Sequence, residues 1–214
     1  MRKNLLNKNE VLKVIELLQK EYPDAGCELD YDSTFHLLIA VVLSAQTTDV
    51  MVNKVTPNLF KEFNTPKELA NADIEKVENL IKKIGLYKNK AKNIVALSNS
   101  IENNFNGSVP NNFEDLISLE GVGRKTANVV LAEAFGEQKI AVDTHVFRVS
   151  NRIGMVNEKD VLKTEKALMK KIPKEYWTKM HHLLIIHGRR CCMARKPDCF
   201  RCPLKTLCIN SLLK

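Results

Sequence analysis

The sequence predicts an all-α protein, for two reasons. Apolar residues recur every three to four positions along most of the 214 residues, which is the spacing of one face of an α-helix. No segment shows the sustained alternation of apolar and polar residues that a half-buried strand requires. The pair Asn106-Gly107, which could form a hairpin turn, precedes Pro110 and indicates a loop instead. We therefore expect a fold made of helices.

The helices can be assigned in order along the chain. The first ends near Tyr22-Pro23, and its apolar face is formed by Val11, Val14, Ile15 and Leu18. The run from Phe35 to Ala45 fits a buried helix or a strand by pattern alone, but its length and the polar residues 46–49 that follow favour a helix. Pro66 and Asp73 each mark a capped helix start. Further amphipathic helices are predicted over residues 90–101, 112–118, 125–135 and 158–171.

Composition and charge narrow the class of partner. The chain is 44% hydrophobic and 27% charged, an ordinary balance for a globular protein. The 33 Lys and Arg residues exceed the 25 Asp and Glu residues, which gives a net charge of +8 and a pI near 9.1. Such an excess suits a polyanionic partner. A lysine-rich solvated surface would give the same charge, so charge alone leaves both interpretations open.

Targeting and membrane signals are not evident. Residues 1–20 lack the continuous apolar core of a signal peptide. The most apolar run, Leu37 to Leu43, is far shorter than the roughly 20 residues that span a membrane. We therefore expect a cytoplasmic protein without a membrane partner. Reducing conditions there make the six cysteines candidate metal ligands rather than disulfides.

Four cysteines form a C-x6-C-x2-C-x5-C array near the end of the sequence: Cys192, Cys199, Cys202 and Cys208. Four thiolates so close in sequence can surround one metal centre, and their spacing fits a zinc ion or a [4Fe-4S] cluster about equally well. Cys191 adjoins the first ligand and competes with it, whereas Cys27 stands alone and is expected to be a small buried side chain. A metal site would also fix Arg195 and Lys196 close to a phosphate backbone.

A glycine-containing turn separates two of the predicted helices. Gly121 and Gly123 lie between Leu119 and Lys125, and glycine permits the dihedral angles of a tight helix-to-helix turn. The helix that begins at Gly123 exposes backbone N–H groups suited to a phosphate. A simple structural hairpin turn explains the same pattern. Lys125 lies in the first turn of that helix, where the helix dipole and Arg124 both disfavour its protonated form, so that it is a candidate amine nucleophile.

Asp143 is the second candidate catalytic residue. A carboxylate beside Lys125 would stabilise the ammonium, accept its proton, or stabilise positive charge that develops on a sugar. Asp143 is also placed to cap the helix that contains Phe147 and Val149. The two roles are compatible.

Taken together, these residues resemble the endonuclease III family of helix-hairpin-helix DNA glycosylases. The matching stretches span nearly the whole chain: residues 43–49, 84–87, 119–130, 141–145 and 181–188, and the cysteine array. The resemblance implies a helix-hairpin-helix DNA glycosylase fold of two helical domains with a DNA-binding cleft between them. Residues 27–138 would form a helical-barrel domain, and residues 1–26 with 139–214 would form a second domain around a [4Fe-4S] cluster. It favours Cys192 over Cys191 as the first ligand.

The resemblance also implies an activity: a bifunctional DNA glycosylase and abasic-site lyase of base excision repair that removes damaged pyrimidines, with oxidised pyrimidines as the expected class. Lys125 would attack the sugar C1′, release the base and form a Schiff base, and Asp143 would assist. Elimination would then cut the strand 3′ to the abasic site. The partner would be double-stranded DNA with a damaged base or an abasic site. The protein would bind it as a monomer, associated with the nucleoid if the source is bacterial or archaeal.

Several residues match the family's DNA contacts. Gln46 and Leu86 would fill the gap left by the flipped nucleotide, although without the family Leu86 would be assigned to the core and Gln46 to the surface. The backbone of the turn would hold a DNA phosphate, alone or with a bound monovalent cation. The remaining expected contacts are Leu119, Gly121, Gly123, Arg124, His145, Arg195 and Lys196.

One position departs from the family. Glu120 stands in the turn where family members commonly have proline, so the expected phosphate contact is weakened or the carboxylate points away.

Three other functions compete with this interpretation. Adenine-mismatch and thymine-mismatch glycosylases of the same superfamily usually lack the lysine found at Lys125. In a non-catalytic zinc-bearing DNA-binding module, Lys125 would merely contact phosphate.

Overall fold

The computed structural model describes residues 4–213, and this part of the chain contains helices but no strand. The helices are α1 (Lys8–Glu21), α2 (Thr34–Leu43), α3 (Asp49–Glu62), α4 (Pro66–Ala70), α5 (Ile74–Ile81), α6 (Tyr87–Phe105), α7 (Phe113–Ser118), α8 (Arg124–Phe135), α9 (Thr144–Ile153), α10 (Val161–Lys171), a short 3₁₀ helix (Lys174–Tyr176) and α11 (Trp177–Arg190). The all-α prediction is confirmed. None of these helices has the length and apolar character needed to cross a membrane.

The chain divides into two compact units. One is continuous, Glu28–Gly136, and contains α2 to α8. The other is discontinuous, because it combines the chain up to Cys27 with the chain from Glu137 onward, and it contains α1 and α9 to α11. The expected boundaries differ from these at Cys27, Glu137 and Gln138, and the domain assignment itself stays a prediction.

The continuous unit is built around α2. Nearly every side chain of this helix is buried, from Phe35 to Leu43. A helix that is apolar all round must be surrounded by other elements, and α2 packs against α3, α6 and α8. Ser33 caps its N-terminus by accepting a hydrogen bond from the backbone N–H of His36 over 3.1 Å. The helix interpretation of this apolar run is therefore correct, and the strand alternative is wrong.

In the discontinuous unit, α1 packs against α11. The four residues predicted for the apolar face of α1 are the four that it buries, and they pack with α11. On its other side α11 packs against α9 at Gly188, where a side chain would meet Val149 Cγ2 at 3.0 Å and His145 Cβ at 3.2 Å. The missing side chain at Gly188 lets the two helices approach closely.

Two α-helices lie outside the sequence predictions, as does the short 3₁₀ helix. The α3 helix contains Pro57 in its interior, a position that usually costs about 3 kcal/mol because proline lacks the N–H group and its ring crowds the preceding turn. The α3 helix nevertheless buries Val52, Val55 and Leu59, and this packing outweighs the local preference. The α11 helix, which carries several histidines and Gly188, was likewise not predicted.

Candidate active site and metal centre

The turn between α7 and α8 has the geometry of a type II β-turn. The backbone N–H of Val122 donates to the carbonyl of Leu119 over 3.1 Å, and Gly121, the third residue of the turn, has φ +78°. This conformation strongly favours glycine. A side chain at Gly121 would also approach Asn93 Nδ2 to 2.9 Å. Gly123, in contrast, has φ −95°, and a Cβ atom added there would have nothing within 4 Å. Of these two glycines, only Gly121 is required by the backbone conformation. Leu119 is buried and offers only its backbone to a ligand.

The first turn of α8 follows directly. Gly123 is the N-cap and provides no side-chain acceptor, so the first amides of α8 are not capped by a side chain of that residue and point toward the helix start. Such amides, together with the helix dipole, suit an anion. Lys125 is half-buried in this first turn, and Arg124 is exposed with its guanidinium 4.9 Å from the centre of the Phe113 ring. Backbone amides suited to an anion and the amine of Lys125 thus belong to the same helix turn.

Glu120, the residue that departs from the family, is held by a neighbouring helix. Ser100 of α6 donates a hydrogen bond to its carboxylate over 3.0 Å. The carboxylate thus has a hydrogen-bond partner within the protein, and the effect of Glu120 on a phosphate contact stays a prediction.

Asp143 serves as the N-cap of α9, as the sequence indicates. Its Oδ1 accepts from the backbone N–H of Val146 at 2.7 Å, and its Oδ2 lies 3.2 Å from Nδ1 of His145. The carboxylate is partly exposed, at 21%. One oxygen is thus committed to the helix, and the other lies beside His145.

Gln46 and Leu86 share an unusual backbone conformation. Their φ angles are +55° and +59°, in the left-handed region that non-glycine residues seldom occupy and that often marks functional sites. Both side chains are exposed, Leu86 at 58%. The alternative that Leu86 belongs to the core is therefore wrong. An apolar side chain fixed outward by a strained turn is suited to contact with a partner.

The cysteine array follows α11 and belongs to the apolar core of the discontinuous unit. Cys192, Cys202 and Cys208 are buried and Cys199 is partly buried. All four line one pocket. Arg195 and Lys196 lie in the exposed loop between the first two cysteines, and Lys196 has φ +52°. The array and its basic loop are therefore adjacent.

Cys191 also lines this pocket, and its position complicates the choice of ligands. Potential ligand atoms of His187, Cys191 and Cys202 lie within 4.8 Å of one another. His187 Nε2 is 3.7 Å from Cys202 Sγ, and its Nδ1 is 3.1 Å from the Tyr22 hydroxyl. Burial lowers the pKa of His187 to about 4. The structure thus groups Cys191 with a histidine, and preference for Cys192 stays a prediction.

The chemistry of the donor set fits a metal group. Burial raises the pKa of Cys191 to about 12 and also raises the pKa values of Cys202 and Cys208. Crowded buried thiols would not ionise together unaided, and a bound cationic centre supplies the compensating charge. Arg152 adds positive charge, because its Nη1 donates to Cys192 Sγ over 3.7 Å. The family and this cysteine cluster together indicate a metal site.

Two residues of this neighbourhood and one elsewhere lie outside the sequence predictions. Arg152 donates to the carbonyls of Met193 and Ala194 at 2.7 and 3.2 Å, and Arg148 donates to those of Gly188 and Cys192 at 3.0 and 3.2 Å. The sequence feature that could have identified these two arginines is their four-residue spacing on α9. The third is Lys90, a buried lysine on α6, whose signal was its position one turn before Ile94 on the apolar face.

The chain is similar to known proteins over nearly its whole length. The family model described as "HhH-GPD superfamily base excision DNA repair protein" matches residues 39–174. Endonuclease III of Bacillus subtilis is 48% identical over 205 residues, 95% of this chain and 94% of the relative. Endonuclease III of Haemophilus influenzae is 47% identical over 203 residues, 95% and 96% of the two chains. A solved structure of a trapped endonuclease III–DNA covalent intermediate superposes with a TM-score of 0.93 at 48% identity, covering 97% of this chain and 98% of the other.

Proposed function

The chain belongs to the HhH-GPD superfamily of base excision DNA repair proteins, and from that membership we propose a role for each residue of its candidate site. It is a bifunctional DNA glycosylase and abasic-site lyase of the endonuclease III type. The observation that carries the proposal is the position of Lys125 in the first turn of α8, directly after the Gly121 turn, in a chain so similar to a protein trapped covalently on DNA.

Lys125 is the nucleophile in this proposal. Its amine nitrogen forms a bond to C1′ of the damaged nucleotide while the bond from C1′ to the base breaks, and the base leaves with the electron pair and takes up a proton. Loss of the amine proton and opening of the sugar ring give a Schiff base, which acidifies the C2′ proton. Removal of that proton expels the 3′ phosphate and cuts the strand on the 3′ side.

Asp143 assists through its second carboxylate oxygen. The Oδ1 that caps α9 is engaged with Val146, whereas Oδ2 lies beside His145 on a side chain that is partly exposed. That oxygen accepts the proton that the Lys125 amine must lose, and its charge stabilises the positive charge that develops on the sugar. His145 orients the carboxylate and is a further candidate DNA contact.

The proposed DNA contacts are exposed side chains and backbone amides of the two units. The amides of the Gly121–Gly123 turn and Arg124 bind phosphate, while Gln46 and Leu86 fill the gap left by the extruded nucleotide. Arg195 and Lys196 hold a further stretch of the phosphate backbone. These assignments are supported by exposure and backbone geometry. The proposed partner is a duplex with a damaged base or an abasic site, and the family resemblance gives oxidised pyrimidines as the expected class of damage.

Cys192, Cys199, Cys202 and Cys208 would hold a [4Fe-4S] cluster, which fits four thiols that line one pocket beside a cationic Arg152. When bound, the cluster supplies fixed geometry for the loop that carries Arg195 and Lys196. We also propose that the protein acts as a monomer in the cytoplasm, associated with the nucleoid where its duplex partner lies.

Borohydride trapping tests the assignment of Lys125. Borohydride reduces a Schiff base to a stable amine, so the wild-type protein should become covalently attached to a duplex that contains an abasic site. Lys125→Ala should abolish the covalent product. Arg124→Ala is the matched control, because it removes the neighbouring cation and leaves the amine, and it should weaken binding while still giving the product. Persistence of the trapped complex in Lys125→Ala would refute the assignment.

A further inference from the structure

Lys90 is buried at the beginning of α6 although it carries a charge. Its side chain is only 5% exposed. The ammonium donates to the carbonyl oxygen of Leu43 at 2.9 Å and to Oγ1 of Thr47 at 2.8 Å. Both acceptors are neutral, and burial lowers the pKa of Lys90. Burial of an ammonium against neutral acceptors costs free energy, whereas burial of an apolar side chain at the same position would not. Packing alone therefore does not explain why a lysine is found here.

The two acceptors bracket a single turn. Leu43 is the last residue of α2, and Thr47 precedes Thr48, the N-cap of α3. Between them lies Gln46, exposed and in the left-handed conformation. Such a conformation is unfavourable for a non-glycine residue and persists only when its surroundings hold it. The Lys90 ammonium is such a restraint, because it ties both ends of the turn to α6.

The backbone of Lys90 is bonded to the second left-handed residue. Its N–H donates to the carbonyl of Leu86 over 3.0 Å, and Leu86 is the exposed N-cap of α6. The two turns also lie side by side, since a side chain at Gly85 would be 3.9 Å from the carbonyl oxygen of Gln46. The bond to Leu86 is the ordinary first bond of α6. The Lys90 side chain therefore ties the turn that carries Gln46 to the beginning of α6, beside the turn that carries Leu86.

We propose that Lys90 is a positioning residue that holds Gln46 and Leu86 as one rigid wedge for insertion into duplex DNA. This inference rests on the proposed function, in which these two side chains fill the gap left by the extruded nucleotide. Lys90 is buried and acts through the two exposed residues. Its bonds restrain the turns before DNA arrives, so their ordering is not a cost of binding.

The test separates nucleotide extrusion from the chemical step. A wedge is needed when the abasic nucleotide must be extruded from a duplex, and it is not needed when the same nucleotide is in single-stranded DNA. We therefore compare the rates of borohydride trapping on duplex and single-stranded abasic DNA. Lys90→Met, which keeps the length of the side chain without its donors, should lower the duplex rate about tenfold, as expected for loss of a hydrogen bond to a charged group. It should leave the single-strand rate nearly unchanged.

Lys171 provides a matched control in the other unit. Its ammonium donates to the carbonyls of Leu6 and Met155 at 2.9 and 2.8 Å, so Lys171→Met removes the same kind of bridge. It should lower the melting temperature without changing the ratio of duplex to single-strand rates. If Lys90→Met lowers both rates equally, or Lys171→Met changes the ratio as much, Lys90 is merely structural and the proposal is wrong.

A second pair of variants covers the case in which Lys90→Met does not fold. Thr47→Val removes one acceptor and should lower the duplex-to-single-strand ratio, whereas Thr47→Ser keeps the hydroxyl and should restore it. Equal ratios in these two variants would overturn the proposal. Failure of the wild-type protein to be trapped on either DNA would instead refute the proposed function, so the two failures are distinguishable.

Discussion

Ser100 and Glu120 join two segments that are 20 residues apart, through a hydrogen bond of 3.0 Å from the Ser100 hydroxyl to the Glu120 carboxylate. Glu120 is the second residue of the turn closed by the bond from Val122 N to the Leu119 carbonyl. This is the position that favours proline in a type II turn with glycine next. The preceding Leu119 has φ −76° and ψ 142°, which is the conformation that a residue before proline prefers.

Glu120→Pro should therefore stabilise the turn relative to Glu120→Ala. Both variants lose the bond to Ser100 and the negative charge, so their difference isolates the restriction of the unfolded chain by proline. We expect Glu120→Pro to have the larger free energy of unfolding, by about 0.4–1 kcal/mol. Urea denaturation measures this difference. A less stable proline variant would mean that the turn is not of type II.

Asp143 combines a structural and a chemical role that two substitutions separate. Asparagine keeps an oxygen that can accept from the backbone N–H of Val146 but lacks the charge, whereas alanine loses both. We expect Asp143→Ala to lower the free energy of unfolding by about 1 kcal/mol and Asp143→Asn to have little effect on it.

Both Asp143 variants should slow single-turnover base release at least about 10²-fold, as expected for loss of a general base. The measurements are denaturation and single-turnover kinetics on the same preparations. Full activity of Asp143→Asn would reduce Asp143 to a helix cap.

Cys191 and Cys192 offer a matched pair for identifying the metal ligands. We expect Cys192→Ser to lose iron and brown colour, because it removes one of the four thiolates of the cluster. Cys191→Ser should keep both. Iron and zinc analysis of the purified variants measures the outcome. The reverse result would assign the metal to the group of His187, Cys191 and Cys202, and a colourless wild-type protein with stoichiometric zinc would refute the iron–sulfur proposal.

Arg195 should contribute to DNA binding through charge. With a net charge of +8, the affinity for an abasic duplex should fall steeply with salt, and Arg195→Ala should reduce the slope of log K against log salt concentration by about one. Lys163→Ala is the control, because Lys163 is exposed and paired with Asp160 at 3.2 Å, and it should leave the slope unchanged. Titrations at several salt concentrations measure both. A flat dependence in the wild-type protein would favour the solvated-surface interpretation of the charge.

Local sequence patterns predicted those parts of the fold in which pattern and packing agree. The apolar face of α1 was predicted residue by residue because its spacing is helical and its opposite face is polar. The α3 helix was not predicted, because Pro57 opposes a helix locally and only the packing of its apolar residues against the rest of the unit overrides that preference.

For the candidate site, too, local sequence patterns predicted some features and missed others. The N-cap position of Asp143 and the place of Lys125 in the first turn of α8 follow from neighbouring residues. The buried state of Lys90 depends on oxygens of Leu43 and Thr47, which are 47 and 43 residues away along the chain. The position of Lys90 on the apolar face of α6 indicates burial, but no local pattern identifies these two acceptors. Likewise, the approach of His187 to Cys191 and Cys202 depends on how the chain folds after α11.

The discontinuous unit can be completed only late in protein synthesis, because its two parts are far apart in the sequence. The α1 helix leaves the ribosome early, but its packing partner α11 lies roughly 150 residues later, which corresponds to roughly 10–30 s of elongation at ordinary rates. All residues of the unit Glu28–Gly136 emerge within that interval. The nascent chain therefore carries the apolar face of α1 without its final partner for most of its translation, and during this period that face is a natural binding site for chaperones.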